Sequence, residues 1–129
     1  MAIRRISSAG AFEPKIGYCR AVVAGDWIHV AGTVAAPLPE TGEPPVGAAA
    51  QCASALAIIE NALKEAGAGF SDVVRVTYML PAAGEFESCW STLAATFGDN
   101  PPVATMIECG LIDPKYRIEI EVTAYKSGL

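Results

Sequence analysis

The sequence lacks the residues and patterns that identify metal proteins, secreted proteins and membrane proteins. It has one histidine and no two cysteines close together, so we expect neither a zinc site nor any other metal site. The basic N-terminus is not followed by an apolar core, which predicts no signal peptide, a cytoplasmic location and reduced cysteines. There is no run of about 18 apolar residues, so no membrane-spanning helix is expected.

Basic residues are also few, nine against fourteen acidic residues, and the net charge is −5. Proteins that bind nucleic acid rely on clustered Lys and Arg to neutralise phosphates, so we expect no nucleic-acid partner. Hydrophobic residues, by contrast, make up 52% of the chain and charged residues 18%. A small monomer needs more polar surface than this, and the composition therefore predicts a subunit interface.

The 129 residues fit one domain, which we place over residues 1–129. Apolar periodicity predicts the order β-β-α-β-α-β-β, with a candidate short strand at residues 3–7. This order predicts an α+β domain with two layers, in which two helices cover one face of a mixed sheet. The predicted helices are 47–66 and 85–97, and the predicted strands are 19–24, 27–32, 73–80, 103–109 and 116–125.

Two of these segments carry specific predictions about burial. The strand at 103–109 is apolar on both faces, which predicts that helices cover one face and a neighbouring subunit the other. The second helix has one apolar stripe, which we expect to face the core. The members of this stripe are Phe86, Cys89, Trp90, Leu93 and Phe97.

A few polar residues are candidates for chemistry. Glu119 and Glu121 share one strand face, which suits general acid–base catalysis, although from the pattern alone a solvated strand face is the favoured interpretation. Arg20 enters an apolar strand, where it can clamp a ligand carboxylate or form a structural ion pair. Glu108 interrupts an apolar strand and needs a basic partner or a backbone N–H. The lone His29 is expected in the core or an interface rather than as a catalytic base.

Several short motifs follow one another in a fixed order along nearly the whole chain. They are Gly-Tyr-Cys-Arg-Ala at 17–21, Gly-Asp-Trp-Ile at 25–28, Ala-Gly-Thr at 31–33, Asp-Val-Val at 72–74, Pro-Val-Ala-Thr-Met at 102–106 and Ile-Glu-Ile-Glu at 118–121. In this order and spacing they resemble the Rid/YjgF family, the reactive-intermediate deaminases, many of which are also labelled endoribonuclease L-PSP.

The resemblance implies a chorismate-mutase-like fold and a homotrimer with ligand clefts between adjacent subunits. Members of this family hydrolyse imines and enamines to carbonyl compounds and ammonia, and they use no cofactor. Tyr18, Gly32 and Glu119 match cleft positions of the family. Glu119 is therefore expected to orient a water molecule and Tyr18 to close the cleft, with Arg20 and Thr33 lining it.

Two positions depart from the family pattern. The arginine that holds the substrate carboxylate falls at Ala104, and a cleft asparagine of the second helix falls at Trp90. The chain thus resembles a subfamily without the arginine, and Arg20 is our candidate for a replacement anion-binding group. We expect a small anionic metabolite as ligand, with altered or lost imine hydrolysis. The alternative is a non-catalytic ligand-sensing or protein-interaction module on the same fold.

Overall fold

Alternating apolar residues form six strands, which join in one mixed sheet in the computed structural model; the structure describes residues 2–129. The strands are β1 (Ile3–Ile6), β2 (Ala21–Ala24), β3 (Trp27–Thr33), β4 (Val73–Leu80), β5 (Val103–Glu108) and β6 (Glu119–Tyr125). Their spatial order is β1-β2-β3-β6-β4-β5. The β4–β5 pair is parallel and the other pairs are antiparallel, which confirms the predicted mixed sheet.

The helices are α1 (Phe12–Ile16), α2 (Ala48–Ala66) and α3 (Trp90–Phe97), with 3₁₀ turns at Phe70–Asp72 and Ala83–Cys89. The long helix α2 ends at Gly67, whose φ of 94° is the left-handed conformation that glycine adopts without a steric cost. The short helix α1 was not predicted, because five residues are too few to show a helical period. Within residues 2–129, no helix is long and apolar enough to cross a membrane.

The core lies between α2 and one face of the sheet. Ile59 and Leu63 of α2 are fully buried, as is Ile28 of β3. Along the segment that leads into β6, the predicted alternation is confirmed, since Ile118 and Ile120 are also fully buried. This packing gives the two-layer α+β arrangement that the sequence predicted.

The second predicted helix is divided, and this division moves Trp90 out of the core. A 3₁₀ turn ends at Cys89 and α3 begins at Trp90, so the helical phase changes between them. Cys89, Leu93 and Phe97 then form the buried stripe at four-residue spacing, whereas Trp90 is 55% exposed. The prediction that Trp90 belongs to the core stripe is therefore wrong. Its ring lies edge-on to Phe86 at 6.5 Å.

Strand β5 is exposed along its whole length, including the apolar Val103, Met106 and Ile107. The prediction that helices cover one of its faces is wrong. The reason is its place in the sheet: β5 is an edge strand, while α2 packs on β3 and β6. A single chain thus presents an apolar edge strand, a feature that natural proteins normally cover or pair.

Candidate functional site

A cavity of about 840 Å³ lies between the N-terminal segment, the end of β3 and the start of β6. Five residues expected at a ligand cleft line it together: Tyr18, Arg20, Gly32, Thr33 and Glu119. Its volume falls within the range of roughly 300–1,000 Å³ that is usual for small-molecule sites. Most of the remaining wall is apolar, with Phe12, Ile16, Val34, Pro37, Ile58 and Ile112 among its residues.

An extra residue in β3 shapes the polar end of this cavity. Val30 pairs with Val122 of β6, but the next pair joins Thr33 to Ile120, so three steps on β3 face two on β6. Such a β-bulge reverses the side-chain alternation, and Thr33 consequently points inwards and is 1% exposed. Bulges of this kind are frequent beside active sites because they redirect side chains.

Gly32 lies in this bulge directly beneath the carboxylate of Glu119. A Cβ added at position 32 would overlap the Oε2 atom of Glu119. Only glycine therefore allows the Glu119 side chain to lie over β3 at this point. This close approach explains why a glycine at 32 and a glutamate at 119 occur together at the site.

The environment of Glu119 differs from that of its neighbour Glu121. Burial raises the pKa of the Glu119 carboxyl, the negative charge of Glu121 raises it further, and the positive charge of Arg20 opposes both effects. Glu121, two residues along the same face, is exposed. A half-buried carboxyl with a raised pKa is a stronger proton acceptor than an ordinary carboxylate, and it can exchange a proton with a substrate or a water molecule.

Arg20 is buried, and each of its three guanidinium nitrogens contacts the protein. Nε donates to Ser8 Oγ at 3.2 Å, and Nη1 donates to the carbonyl of Gly32 at 2.9 Å and to Thr33 Oγ1 at 3.0 Å. Nη2 donates to the Tyr18 hydroxyl at 3.4 Å and lies 3.8 Å from the Glu13 carboxylate. The side chain therefore joins the N-terminal segment to the end of β3.

Glu13, the ion-pair partner of Arg20, is 4% exposed and was not singled out from the sequence. Its carboxylate accepts hydrogen bonds from the hydroxyls of Ser7 and Ser8 and from the backbone N–H groups of Ser8 and Gly10. Burial alone raises the pKa of the Glu13 carboxyl, but these hydrogen bonds together outweigh burial and lower the pKa below its usual value. Glu13 is thus held as a carboxylate.

Sequence reasoning also missed the residues that hold the opposite wall. Gln51 of α2 has a polar side chain, yet it is only 1% exposed. Its side chain donates to the carbonyls of Pro45 and Lys115 and accepts the N–H of Arg117, at 2.7–2.9 Å. These bonds fix the segment before β6, where Lys115 lines the cavity and pairs with Glu43 at 3.3 Å.

Trp90 and Ala104 are not among the residues that line the cavity. Both are exposed, Trp90 at the start of α3 and Ala104 on the edge strand β5. Glu108 of the same strand accepts the backbone N–H of Ala83 at 2.8 Å, which confirms the prediction of a backbone partner. His29 is exposed in the chain, so a position in the core is wrong for it.

The cysteines do not contribute a nucleophile to the cavity. All four are free thiols; Cys52 and Cys89 are buried, and Cys19 and Cys109 are partly buried. Burial raises the pKa of Cys52 to about 12, which keeps this thiol protonated and unreactive.

The mixed six-stranded sheet and the cavity beside its bulge place the chain in a known class of two-layer α+β proteins. A family model described as Endoribonuclease L-PSP matches residues 8–126. A YjgF/YER057c/UK114 family member from Mycobacterium tuberculosis is 36% identical and superposes with a TM-score of 0.85, over 97% of this chain and 100% of that chain.

Two curated relatives agree with this match. A RutC family protein from Pyrococcus abyssi is 34% identical over 98% of this chain and 99% of its own length. The human protein named 2-iminobutanoate/2-iminopropanoate deaminase is 30% identical over 98% of this chain and 93% of its own length. The chain therefore belongs to the Rid/YjgF family, and the predictions of family and fold are confirmed.

The contact between Gly32 and Glu119 gives a first testable prediction. In Gly32→Ala, the added methyl group requires the space of the Glu119 carboxylate, so the side chain should leave the cavity and its pKa should fall as burial is lost. A ¹³C NMR titration of the glutamate carboxyls measures this change. Gly84→Ala, where an added Cβ has no neighbour within 4 Å, is the control. An unchanged pKa of Glu119 in Gly32→Ala would contradict the contact between the Glu119 carboxylate and Gly32.

Proposed function

We propose that this Rid/YjgF chain binds a small metabolite at the cavity and hydrolyses an imine or enamine to a carbonyl compound and ammonia. The observation that carries the proposal is the position of Glu119. Its carboxyl lies over the Gly32 bulge, is half-buried and has a raised pKa. The name of the human relative, an imine deaminase, supports the same chemistry.

The proposed reaction is the addition of water to a C=N bond. Glu119 accepts a proton from a water molecule, whose oxygen forms a bond to the imine carbon as the C=N π electrons move to nitrogen. Glu119 returns this proton to the nitrogen, which gives the carbinolamine. Glu119 then accepts the hydroxyl proton of the carbinolamine and returns it to the amino group, so that the C–N bond breaks, ammonia leaves and the carbonyl group forms. The Tyr18 hydroxyl, 3.4 Å from Arg20, closes one side of the cavity.

A homotrimer with clefts between subunits is part of this proposal. The exposed apolar side chains of β5 support it, because an uncovered edge strand of this kind is a ready surface for self-association. In such an assembly, Ala104 and Trp90 would belong to the wall that a neighbouring subunit adds to the cleft. The 52% content of hydrophobic residues agrees with this additional burial.

The ligand is proposed to be small and anionic. Arg20 and Lys115 both line the cavity and place positive charge near it. The nitrogens of Arg20 already contact protein atoms, so Arg20 does not form a pair of hydrogen bonds with a ligand carboxylate. Its positive charge attracts an anion at longer range instead. Ala104, at the family's arginine position, offers no charge to replace that clamp.

Ala104 also favours a second candidate function, a non-catalytic sensor or interaction module. A methyl group cannot make the charge-assisted hydrogen bonds of a guanidinium, each worth about 1.5–3 kcal/mol. A chain that keeps the cavity but lacks these bonds can bind a metabolite without turning it over. The two functions differ in whether Glu119 is needed for turnover or only for binding.

A panel of freshly generated imines tests the proposed activity. We expect the protein to hydrolyse at least one imine faster than water alone, and Glu119→Gln to lower kcat by a factor on the order of 100 to 10,000. Glu121→Gln, which alters the exposed neighbour on the same strand face, should keep most of the activity. If no imine is hydrolysed, or if Glu119→Gln is as active as the parent protein, the catalytic proposal fails and the binding module is favoured.

The assembly is tested by light scattering at micromolar concentration. We expect a mass three times that of the 13.4 kDa chain. Ile107→Asp on β5 should shift the mass towards the monomer, because it places a charge on the surface proposed to be buried. Ile3→Asp, on the opposite edge strand, is the control. A monomer mass for the unaltered protein would contradict the proposed clefts.

The arginine position is tested by restoring the missing side chain. We expect weak hydrolysis of 2-iminopropanoate and a gain in kcat/KM for Ala104→Arg by a factor on the order of 100 to several thousand, equivalent to about 3–5 kcal/mol. Thr105→Arg, which points to the other face of β5, should give no such gain. High efficiency in the unaltered protein would show that Ala104 does not occupy the clamp position.

A further inference from the structure

We propose that Glu13 and Arg20 are positioning residues: their buried ion pair fixes Tyr18, Gly32 and Thr33 around Glu119 without itself contacting the ligand. This inference rests on the proposed function, since Glu119 is the group that it serves. It assigns a role to Glu13, which lies outside the motifs of the resemblance, and a different role to Arg20 from that of an anion clamp.

The guanidinium group of Arg20 is fully occupied by protein partners. Nε and Nη1 make three hydrogen bonds of 2.9–3.2 Å, to Ser8, to Gly32 and to Thr33. Nη2 contacts Tyr18 and Glu13. A guanidinium can form a strong fork with a ligand carboxylate only when two parallel N–H groups are available. Arg20 directs its N–H groups to the protein instead.

Glu13 holds the N-terminal wall of the cavity. Its carboxylate accepts hydrogen bonds from four backbone N–H and hydroxyl groups between Ser7 and Gly10. The same segment, from Ser8 to Tyr18, contributes one side of the cavity. Without Glu13, this wall would lose the acceptor that organises it, and Arg20 would lose its counter-charge.

The N-terminal wall and the end of β3 meet at Arg20. Arg20 bonds the carbonyl of Gly32 and the hydroxyl of Thr33, the two residues that the β3 bulge presents to the cavity. Gly32 in turn lies against Glu119. A continuous chain of contacts therefore runs from Glu13 through Arg20 to the floor beneath Glu119.

The pair also acts on Glu119 through charge. Arg20 opposes the increase in the pKa of Glu119 that burial and Glu121 produce. Among residues 2–129, the other ionisable groups of the cavity wall are Tyr18, Lys115 and Tyr116. Gly32 and Met79, the residues of the neighbouring strands that adjoin Glu119, carry no charge. Removing Arg20 should therefore take a positive charge away from Glu119, whereas removing Glu13 should take a negative charge away.

The test is a ¹³C NMR titration of the glutamate carboxyls in the full chain, with Glu119→Gln used to assign the resonance. In Arg20→Gln the pKa of Glu119 should rise, because a nearby positive charge is lost. In Glu13→Gln it should fall, because Arg20 keeps its charge and loses its counter-charge. A variant that merely loosened the fold would expose Glu119 to water and lower its pKa in both cases.

Two further variants separate geometry from charge. Arg20→Lys keeps the charge but cannot reach all of the partners, so the amide resonances of Gly32 and Thr33 should shift while the pKa of Glu119 stays close to that of the parent. Glu60→Gln is the matched control, since Glu60 and Lys64 form an exposed ion pair at the same 3.8 Å separation. Glu60→Gln should change neither the pKa of Glu119 nor the amide resonances of Gly32 and Thr33.

For any imine that the protein hydrolyses, Arg20→Lys and Glu13→Gln should lower kcat by a factor on the order of 10 to 100 with little change in KM.

The proposal is overturned if the two charge-removing variants shift the pKa of Glu119 in the same direction, or if Arg20→Lys leaves Gly32 and Thr33 unmoved. Should Arg20→Gln fail to fold, Arg20→Lys decides: shifted amide resonances of Gly32 and Thr33 with a Glu119 pKa close to that of the parent support the proposal, whereas unmoved amides or a lowered Glu119 pKa contradict it. If no imine is hydrolysed, the proposed function fails, but the titrations still decide the positioning role.

Discussion

One additional residue in β3, relative to its partner β6, determines the geometry of the cavity. The bulge turns Thr33 towards the interior, where its hydroxyl accepts a hydrogen bond from Arg20 at 3.0 Å. It also leaves Gly32 without a side chain beneath the Glu119 carboxylate. A regular strand would reverse the direction of Thr33 and would break both relationships, because the side-chain period of a strand is two residues. The bulge is therefore the local feature from which the remaining contacts of the site follow.

The ion pair behind this bulge is buried, and its stability depends on the hydrogen bonds around it. Isolated charges are costly to remove from water, and a buried pair is tolerated when its remaining donors and acceptors are satisfied. Glu13 and Arg20 meet this condition, and within residues 2–129 no buried side-chain nitrogen or oxygen atom lacks a partner. Glu119 differs from both, because it is half-buried beside another carboxylate and, among residues 2–129, its side chain forms no hydrogen bond. A carboxyl in that state is suited to form a hydrogen bond with a water molecule or a substrate.

Most of the fold could be predicted from the sequence, whereas the contacts of the site could only partly be predicted. Strands such as β4 and β6 follow from apolar alternation, and α2 follows from its period and from the glycine that ends it. The resemblance placed Tyr18, Gly32 and Glu119 at one cleft, and the structure brings them together around one cavity. The bulge in Ala31–Gly32–Thr33 was not predicted, although a glycine inside a strand pattern is itself a signal for a bulge. The role of Glu13 was missed because its partners are assembled by tertiary packing, and Trp90 was misplaced because a 3₁₀ turn shifts the helical phase.

The central claim, that Glu119 is held partly desolvated over Gly32, is tested most directly by comparing the stability of the parent protein and of Glu119→Gln as the pH changes. Because the pKa of Glu119 is raised in the folded state from its ordinary value of 4.5, the folded protein binds more protons than the unfolded chain just above that pH. The stability that Glu119 contributes is thus complete below pH 4.5 and is lost as the pH rises through the raised pKa. Urea unfolding at a fixed protein concentration should show the parent protein losing stability relative to Glu119→Gln across this window, with a constant difference at higher pH. Stability curves that run parallel through the window, or a parent protein that gains relative to the variant, would contradict the account.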